Sequence, residues 1–126
     1  AMSEDQWDRT LMRLTGVGDD KLQPVLGKLL PLVFDDLLSQ TAAAARTKIV
    51  NILNHALTRV KGNTAIQLPV LAIAERWFGQ ALASSPNAIF FRNLSLIFLD
   101  IGVPRLAPAA QVELTLYVLQ HFGKLQ

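Results

Sequence analysis

Three observations on this 126-residue chain predict an all-α fold, a fragment of an α-solenoid made of about six helices stacked as antiparallel pairs. First, Leu30-Pro31-Leu32 returns as Leu68-Pro69-Val70, and Pro108 opens another apolar run, so that Pro31, Pro69 and Pro108 stand at nearly equal intervals. Helix-pair units produce a near-constant period of this size, each burying its apolar stripe only by stacking on its neighbours. Second, apolar residues recur at i, i+3 and i+4, and no segment shows the period of two that marks a half-buried strand. Third, hydrophobic residues make up 51% of the chain and charged residues 17%. That is oily for a soluble domain of this size, so some apolar surface is expected to face something outside the chain.

Glu4 to Leu14 suits a first helix, with Ser3 as N-cap, acidic residues in the first turn, and Trp7, Leu11 and Leu14 on one face. Gly16 and Gly18 end it. A second helix starts near Asp19 or Asp20 and turns Leu22, Val25, Leu26, Leu29, Leu30, Val33 and Leu37 inward, and Pro31 within that stripe predicts a kink or a restart. Thr41 caps a third helix running to about Lys61. Its buried face is Ala45, Ile49, Ile52, Leu53, Ala56 and Val60, and its wet face is Lys48, Asn51, His55, Thr58 and Arg59. Gly62-Asn63 reads as a left-handed stop behind Lys61.

The fourth helix begins around Leu68 and carries Leu71, Ala74, Trp77, Phe78, Ala81 and Leu82 inward. Ser85 as N-cap and Pro86 as first helical residue open a fifth helix to Ile101, apolar nearly all round, which Gly102 and Pro104 terminate. The last helix runs from about Pro108 to Phe122 with two apolar stripes. Val112, Leu116, Leu119 and Phe122 form one, Leu114 and Val118 the other. This excess predicts a natural chain that continues into another helix pair, and weak self-association of the fragment.

At this length residues 1–126 form one domain, or one fragment of a longer array. The chain has no cysteine, which excludes disulfides and thiolate metal sites and is compatible with a reducing compartment. Twelve basic against ten acidic residues give a net charge of +2, which is no nucleic-acid footprint. The terminus AMSEDQWDR is acidic and polar, unlike a secretory leader. Ile89 to Ile101 carries Arg92, Asn93, Ser95 and Asp100 and falls short of the roughly 20 apolar residues of a transmembrane segment.

No constellation predicts an enzyme, a cofactor or a metal. His55 and His121 have no carboxylate at ligand spacing. Asp35 and Asp36 point about 100° apart on a helix, cannot share a substrate, and read as a solvated patch. Gly16-Val17-Gly18 is a helix-helix turn without the strand and lysine of a phosphate loop. Ser95 sits mid-helix, where it back-bonds to a carbonyl or faces a neighbouring helix. Trp77-Phe78 and Phe90-Phe91 coincide with core positions.

Arg46, which follows Pro31 at the start of the second helix of its pair, is predicted to fix the preceding turn or the next repeat. Pro31, Arg46, Pro69 and Pro108 are thus the structural repeat positions. Lys48, Arg59, Lys61 and Arg105 are candidates for contact with an acidic protein partner, although a solvated face competes. On this assignment, charging Phe98 or Leu53 unfolds the chain, while Arg59→Glu leaves thermal stability nearly unchanged. The alternative reading is a stand-alone helical module that binds RNA, or a generic protein-interaction module.

The spacing of Leu30-Pro31 and Arg46, with leucines and isoleucines between and after, resembles a HEAT repeat, the paired-helix unit of long α-solenoids. A closer resemblance rests on Asp20-Lys21-Leu22-Gln23 leading into Lys28-Leu29-Leu30-Pro31, on Ile66-Gln67-Leu68-Pro69-Val70, and on Asn93 to Ile97 followed by Gly102-Val103-Pro104-Arg105-Leu106. In order and approximate spacing these are similar to the amino-terminal region of the large HEAT-repeat proteasome adaptor and scaffold family. The resemblance covers about Trp7 to Leu106, and the alanine run Ala42 to Ala45 departs from it without breaking the helix-pair plan. It implies a far longer parent protein of which this is the first block. It also implies a non-catalytic, cytoplasmic and nuclear scaffold that binds proteasome subunits, bridges core and regulatory particles, restrains defective assemblies, and links proteasomes to other structures.

Overall fold

The structure, a computed structural model, describes residues 1–121. Among these the chain forms seven α-helices and one 3-10 turn, and no strand. They are α1 (Glu4–Thr15), α2 (Asp19–Ser39), α3 (Ala43–Gly62), α4 (Val70–Trp77), α5 (Gln80–Ser84), α6 (Ala88–Gly102) and α7 (Pro108–Gln120), with the 3-10 turn Val103–Arg105 between the last two.

Local chemistry explains the start of α1. Ser3 and Gln6 form a reciprocal capping box at α1, with Gln6 N donating to Ser3 Oγ at 3.2 Å and Ser3 N to Gln6 Oε1 at 2.8 Å. α2 neither stops nor restarts at Pro31. The Gly27 carbonyl loses its ladder donor there, and the complete burial of Leu26, Leu30, Val33 and Phe34 offsets that loss. The expected fourth helix is two. Phe78 closes α4, and Gly79 is extended and opens α5, so a glycine inside the apolar pattern marks a real break.

Three expected caps are replaced. Thr41 is exposed, and α3 starts behind Ala42, whose N–H donates to the Oε1 of the buried Gln40. No described glycine has positive φ, so Gly62-Asn63 is not a left-handed stop. Residue 88, not Pro86, begins α6, and Ser85 accepts from Asn87 N at 3.0 Å in the turn before it.

The polar links between helices define two rows. Arg46, near the start of α3, reaches Asn87 at the start of α6, and Arg105, just past α6, reaches the end of α3, so α3 and α6 run parallel. Lys48 and Arg59 set α1 parallel to α3 in the same way. In the other row, Gln67 N donates to Gln23 near the start of α2 while Arg76 of α4 pairs with Asp35 near its end. α2 turns back into α3, so the rows run antiparallel. Successive units are then α2 with α3, and α4 and α5 with α6. α1 precedes them and α7 follows.

The core lies between the rows. Phe34 of α2 meets Phe91 edge-on at 5.4 Å and Phe98 at 5.9 Å, tying the first unit to the second. Leu53 and Phe98 are both buried. Phe90, expected inside with Phe91, is half exposed, as are Leu96 and Ile97 on the same helix. α7 buries nothing completely: Leu114 and Val118 are half-buried while Val112, Leu116 and Leu119 face outward. Phe122 lies outside the described residues.

The prolines of the apparent period occupy unlike places. Pro69 is the N-cap of α4 and Pro108 the first residue of α7, two helix starts, whereas Pro31 sits inside α2. The recurrence from Pro69 to Pro108 marks successive units, and that from Pro31 to Pro69 joins dissimilar positions.

Candidate functional site: helix-end clips and the α3–α6 groove

An α-helix leaves its last carbonyls without intrahelical donors. Here later residues supply them. At the end of α1, Arg59 donates through Nη1 to the Leu14 carbonyl at 3.4 Å and through Nη2 to that of Val17 at 2.7 Å, and pairs with Asp19 at 2.7 Å. At the end of α3, Arg105 donates to the carbonyls of Val60, Asn63 and Ile66 at 3.0, 3.2 and 3.1 Å. At the end of α2, Asn87 Nδ2 donates to Leu37 and Gln40 carbonyls at 2.7 and 2.6 Å, and Ser85 Oγ to Leu38 at 2.6 Å. Each clip spans roughly one unit of chain, the longest being 50 residues. The planar guanidinium suits Arg59 and Arg105 to this task, because its fork of donors reaches several oxygens at once.

These bonds correct the reading of Arg59 and Arg105 as solvated, partner-facing cations. Both are half-buried and spent within the chain, so Arg59→Glu is expected to destabilise the fold. Lys48 is also engaged, in an ion pair with Asp8 at 3.0 Å. That hydrogen bond and the charge of Asp8 hold its ammonium above the usual lysine pKa, desolvation opposing them and Glu4 adding least. Lys61 is exposed. The four cations therefore do not make one free surface, since α1 covers the side of α3 that carries Lys48, His55 and Arg59. All three are half-buried where a wet face was expected, while Asn51 and Thr58 stay exposed.

Asp35 and Asp36 diverge as expected, and only Asp35 is exposed, Asp36 being half-buried. Asp35 pairs with Arg76 at 2.8 Å. Asp36 accepts from Trp7 Nε1 at 2.8 Å, from Met2 N at 2.9 Å and from Gln40 Nε2 at 3.0 Å, anchoring α1. Ser95 is buried, donates to the Arg92 carbonyl and accepts from Trp77 Nε1 at 3.1 Å. His121 contacts the Tyr117 carbonyl and stacks near Tyr117 and Phe78. Among the described residues no group of three or more His, Cys, Asp or Glu side chains could hold a metal. No described helix is long and apolar enough to cross a membrane.

Arg46 acts as a fixing residue toward the following unit, its Nη1 donating to Asn87 Oδ1 at 3.0 Å. It also borders a groove of about 260 Å³ between α3 and α6, lined by Leu37, Ala43, Thr47, Val50, Asn51 and Phe90. Sequence reasoning missed Asn87, Gln67 and Gln40. All are neutral polar residues in turns, and only their partners, far along the chain, give them a task.

Seven helices without a strand among the described residues, locked at their ends by side chains from later in the chain, place the chain among all-α proteins. A family model described as proteasome component ECM29, N-terminal, matches residues 8–126, and the chain belongs to that family. It is similar to the proteasome-associated protein ECM29 homolog of Drosophila melanogaster, 31% identical over 121 residues that cover 94% of this chain. It is also similar to the proteasome adapter and scaffold protein ECM29 of Homo sapiens, 33% identical over 111 residues covering 87% of it. The chain spans about 6% of the length of each of these relatives. No solved structure matches it.

Proposed function

We propose that the chain is an early block of a HEAT-like α-solenoid within a non-catalytic scaffold that binds the proteasome, joins its core and regulatory particles, and links it to other partners in the cytoplasm and nucleus. The names of the two relatives support the proteasome as partner. The observation that carries the scaffold reading is the set of helix-end clips. Each ties a helix to a side chain about one unit later, as quasi-one-dimensional repeat proteins require. Such a block acts by geometry, holding the relative positions of surfaces on a long protein. The outward stripe Val112, Leu116 and Leu119 is assigned to weak self-association of the isolated block.

The test is affinity capture from cell extract with the full-length protein and with this block alone, read by mass spectrometry. Proteasome subunits are expected with the full-length protein. Their recovery with the block as well would place a contact here, and recovery with the full-length protein alone would move it to later repeats. Failure of the full-length protein to recover them sinks the reading.

A further inference from the structure

We propose that the groove between the first halves of α3 and α6 is a docking site for an acidic, apolar peptide segment of a partner protein, whose carboxylate pairs with Arg46 while its apolar neighbour lies against Val50 and Phe90. The proposal does not depend on which assembly the longer protein joins.

The argument begins with an unbalanced cation. The guanidinium of Arg59 faces Asp19, that of Arg76 faces Asp35, and that of Arg105 is shared by three carbonyls. Arg46 meets one neutral acceptor, Asn87 Oδ1, and pairs with no carboxylate among the described residues. A carboxylate is the strongest acceptor a protein partner can bring, because guanidinium and carboxylate match in both charge and planar geometry.

The surroundings decide what accompanies that carboxylate. None of the residues lining the groove is acidic, so no internal countercharge competes. Ala43, Val50 and Phe90 make its walls largely apolar, with Thr47 and Asn51 as the neutral polar groups on the rim. The Phe90 ring lies 5.7 Å from Arg46 Cζ and the residue is 50% exposed, so an aromatic group that already meets the cation is still accessible. A volume of about 260 Å³ is below the usual range for small-molecule sites and fits a side chain or two of a bound segment. One cation among apolar walls suits a peptide carboxylate. A nucleic-acid backbone would need a row of cations.

The experiment is fluorescence anisotropy on this chain with a labelled, amidated heptapeptide of alternating leucine and glutamate, beside its twin with glutamine for glutamate. Saturable binding of the acidic peptide is expected, with the neutral twin at least about tenfold weaker. Thr47→Glu, at an exposed position on the groove rim, is expected to repel the acidic peptide and weaken its binding at least about tenfold while thermal stability holds. Arg46→Met should lose binding whatever it does to stability. Absence of saturable binding, equal binding of the neutral twin, or unchanged affinity in Thr47→Glu would each overturn the proposal. Displacement of the peptide by an equal concentration of oligothymidylate would also overturn it, reassigning the groove to nucleic acid.

Discussion

Gln67 and Arg105 hold one another: Gln67 Nε2 donates to the Arg105 carbonyl at 2.7 Å, and the Arg105 guanidinium donates to the carbonyl of Ile66, the residue before Gln67, at 3.1 Å. The clasp joins the turn before α4 to the turn after α6 and also closes the end of α3. Arg105→Met keeps much of the aliphatic stem and removes every donor, so it should destabilise the chain by about 1.5–3 kcal/mol in urea unfolding. Lys61→Met, on the exposed end of the same helix, should stay within about 0.5 kcal/mol of the parent. A double-mutant cycle with Gln67→Ala should show coupling of at least about 0.5 kcal/mol; strict additivity would mean that the clasp is not a unit.

Gly102, near the end of α6, packs against Leu68 and Val70. A Cβ there would lie 2.6 Å from Val70 Cγ2 and 3.2 Å from Leu68 Cβ, so the helix preference for alanine, worth about 1 kcal/mol, is opposed by overpacking of about 1–3 kcal/mol. Gly102→Ala is expected to lower the melting temperature. Gly27→Ala in α2 meets nothing within 4 Å and should raise stability by about 0.5–1 kcal/mol. Equal effects at the two sites would refute the close approach of α6 to the Leu68–Val70 turn.

Helix positions and most core stripes were legible because the period of apolar residues is local: Trp7, Leu14, Leu22 to Leu37 and the buried face of α3 are where the pattern puts them. Helix ends were less so. Gly62-Asn63 carries the composition of a left-handed cap, yet Arg105, far later in the chain, supplies the donors and the turn stays in ordinary backbone space. The same holds for the wet side of α3, which is wet only until α1 lies on it. Pro31 misled in a different way, since a proline records where an N–H is dispensable and not where a unit begins. Arg46 does reach toward the next unit, as its place at a helix start suggests, but its partner Asn87 carries no local signal.

Arg59→Glu now carries a sign opposite to that read from the sequence. The substitution would put a carboxylate beside the carbonyls of Leu14 and Val17 and beside Asp19. The Arg59 side chain is 19% exposed and that of Asp19 69%, so solvent weakens the ion pair while the carbonyl bonds stay sheltered. A loss of about 2 kcal/mol is expected, and Arg59→Met should recover part of it by removing the repulsion. A melting curve that matches the parent would restore Arg59 to the solvated face.

Two groups bias stability at high pH, and both act in the same direction. The hydrogen bond and charge of Asp8 raise the pKa of Lys48, so its contribution is complete below the unfolded value of 10.5 and fades as pH rises through the folded one. Burial and the charge of Glu75 raise the pKa of Tyr117 above 10.0, so above that pH the unfolded chain loses the phenolic proton first and unfolding is favoured. Stability should therefore decline above about pH 10. Lys48→Met and Tyr117→Phe should each flatten that decline in pH-dependent thermal melts, and a parent curve flat through this range would contradict both assignments.

Asn87 makes the most demanding test of the clips, because its neutrality and its two donors are both used. Its amide is 1% exposed, gives both hydrogens to the Leu37 and Gln40 carbonyls, and receives Arg46 on its oxygen. Asn87→Ala leaves these groups without partners where water cannot easily follow, and should cost about 3 kcal/mol. Asn87→Asp is nearly isosteric and gains an attraction to Arg46, so a simple charge argument would call it stabilising. It also turns two donors into an acceptor held against two carbonyls, at distances now 2.7 and 2.6 Å. That repulsion should prevail, making Asn87→Asp less stable than the parent at about pH 7. As pH falls toward about 4, the introduced carboxyl takes up a proton and recovers one donor, so the gap from the parent should narrow. Urea titrations at the two pH values decide it: a gap that widens in acid would mean that the pairing with Arg46, and not the two carbonyl bonds, fixes the end of α2.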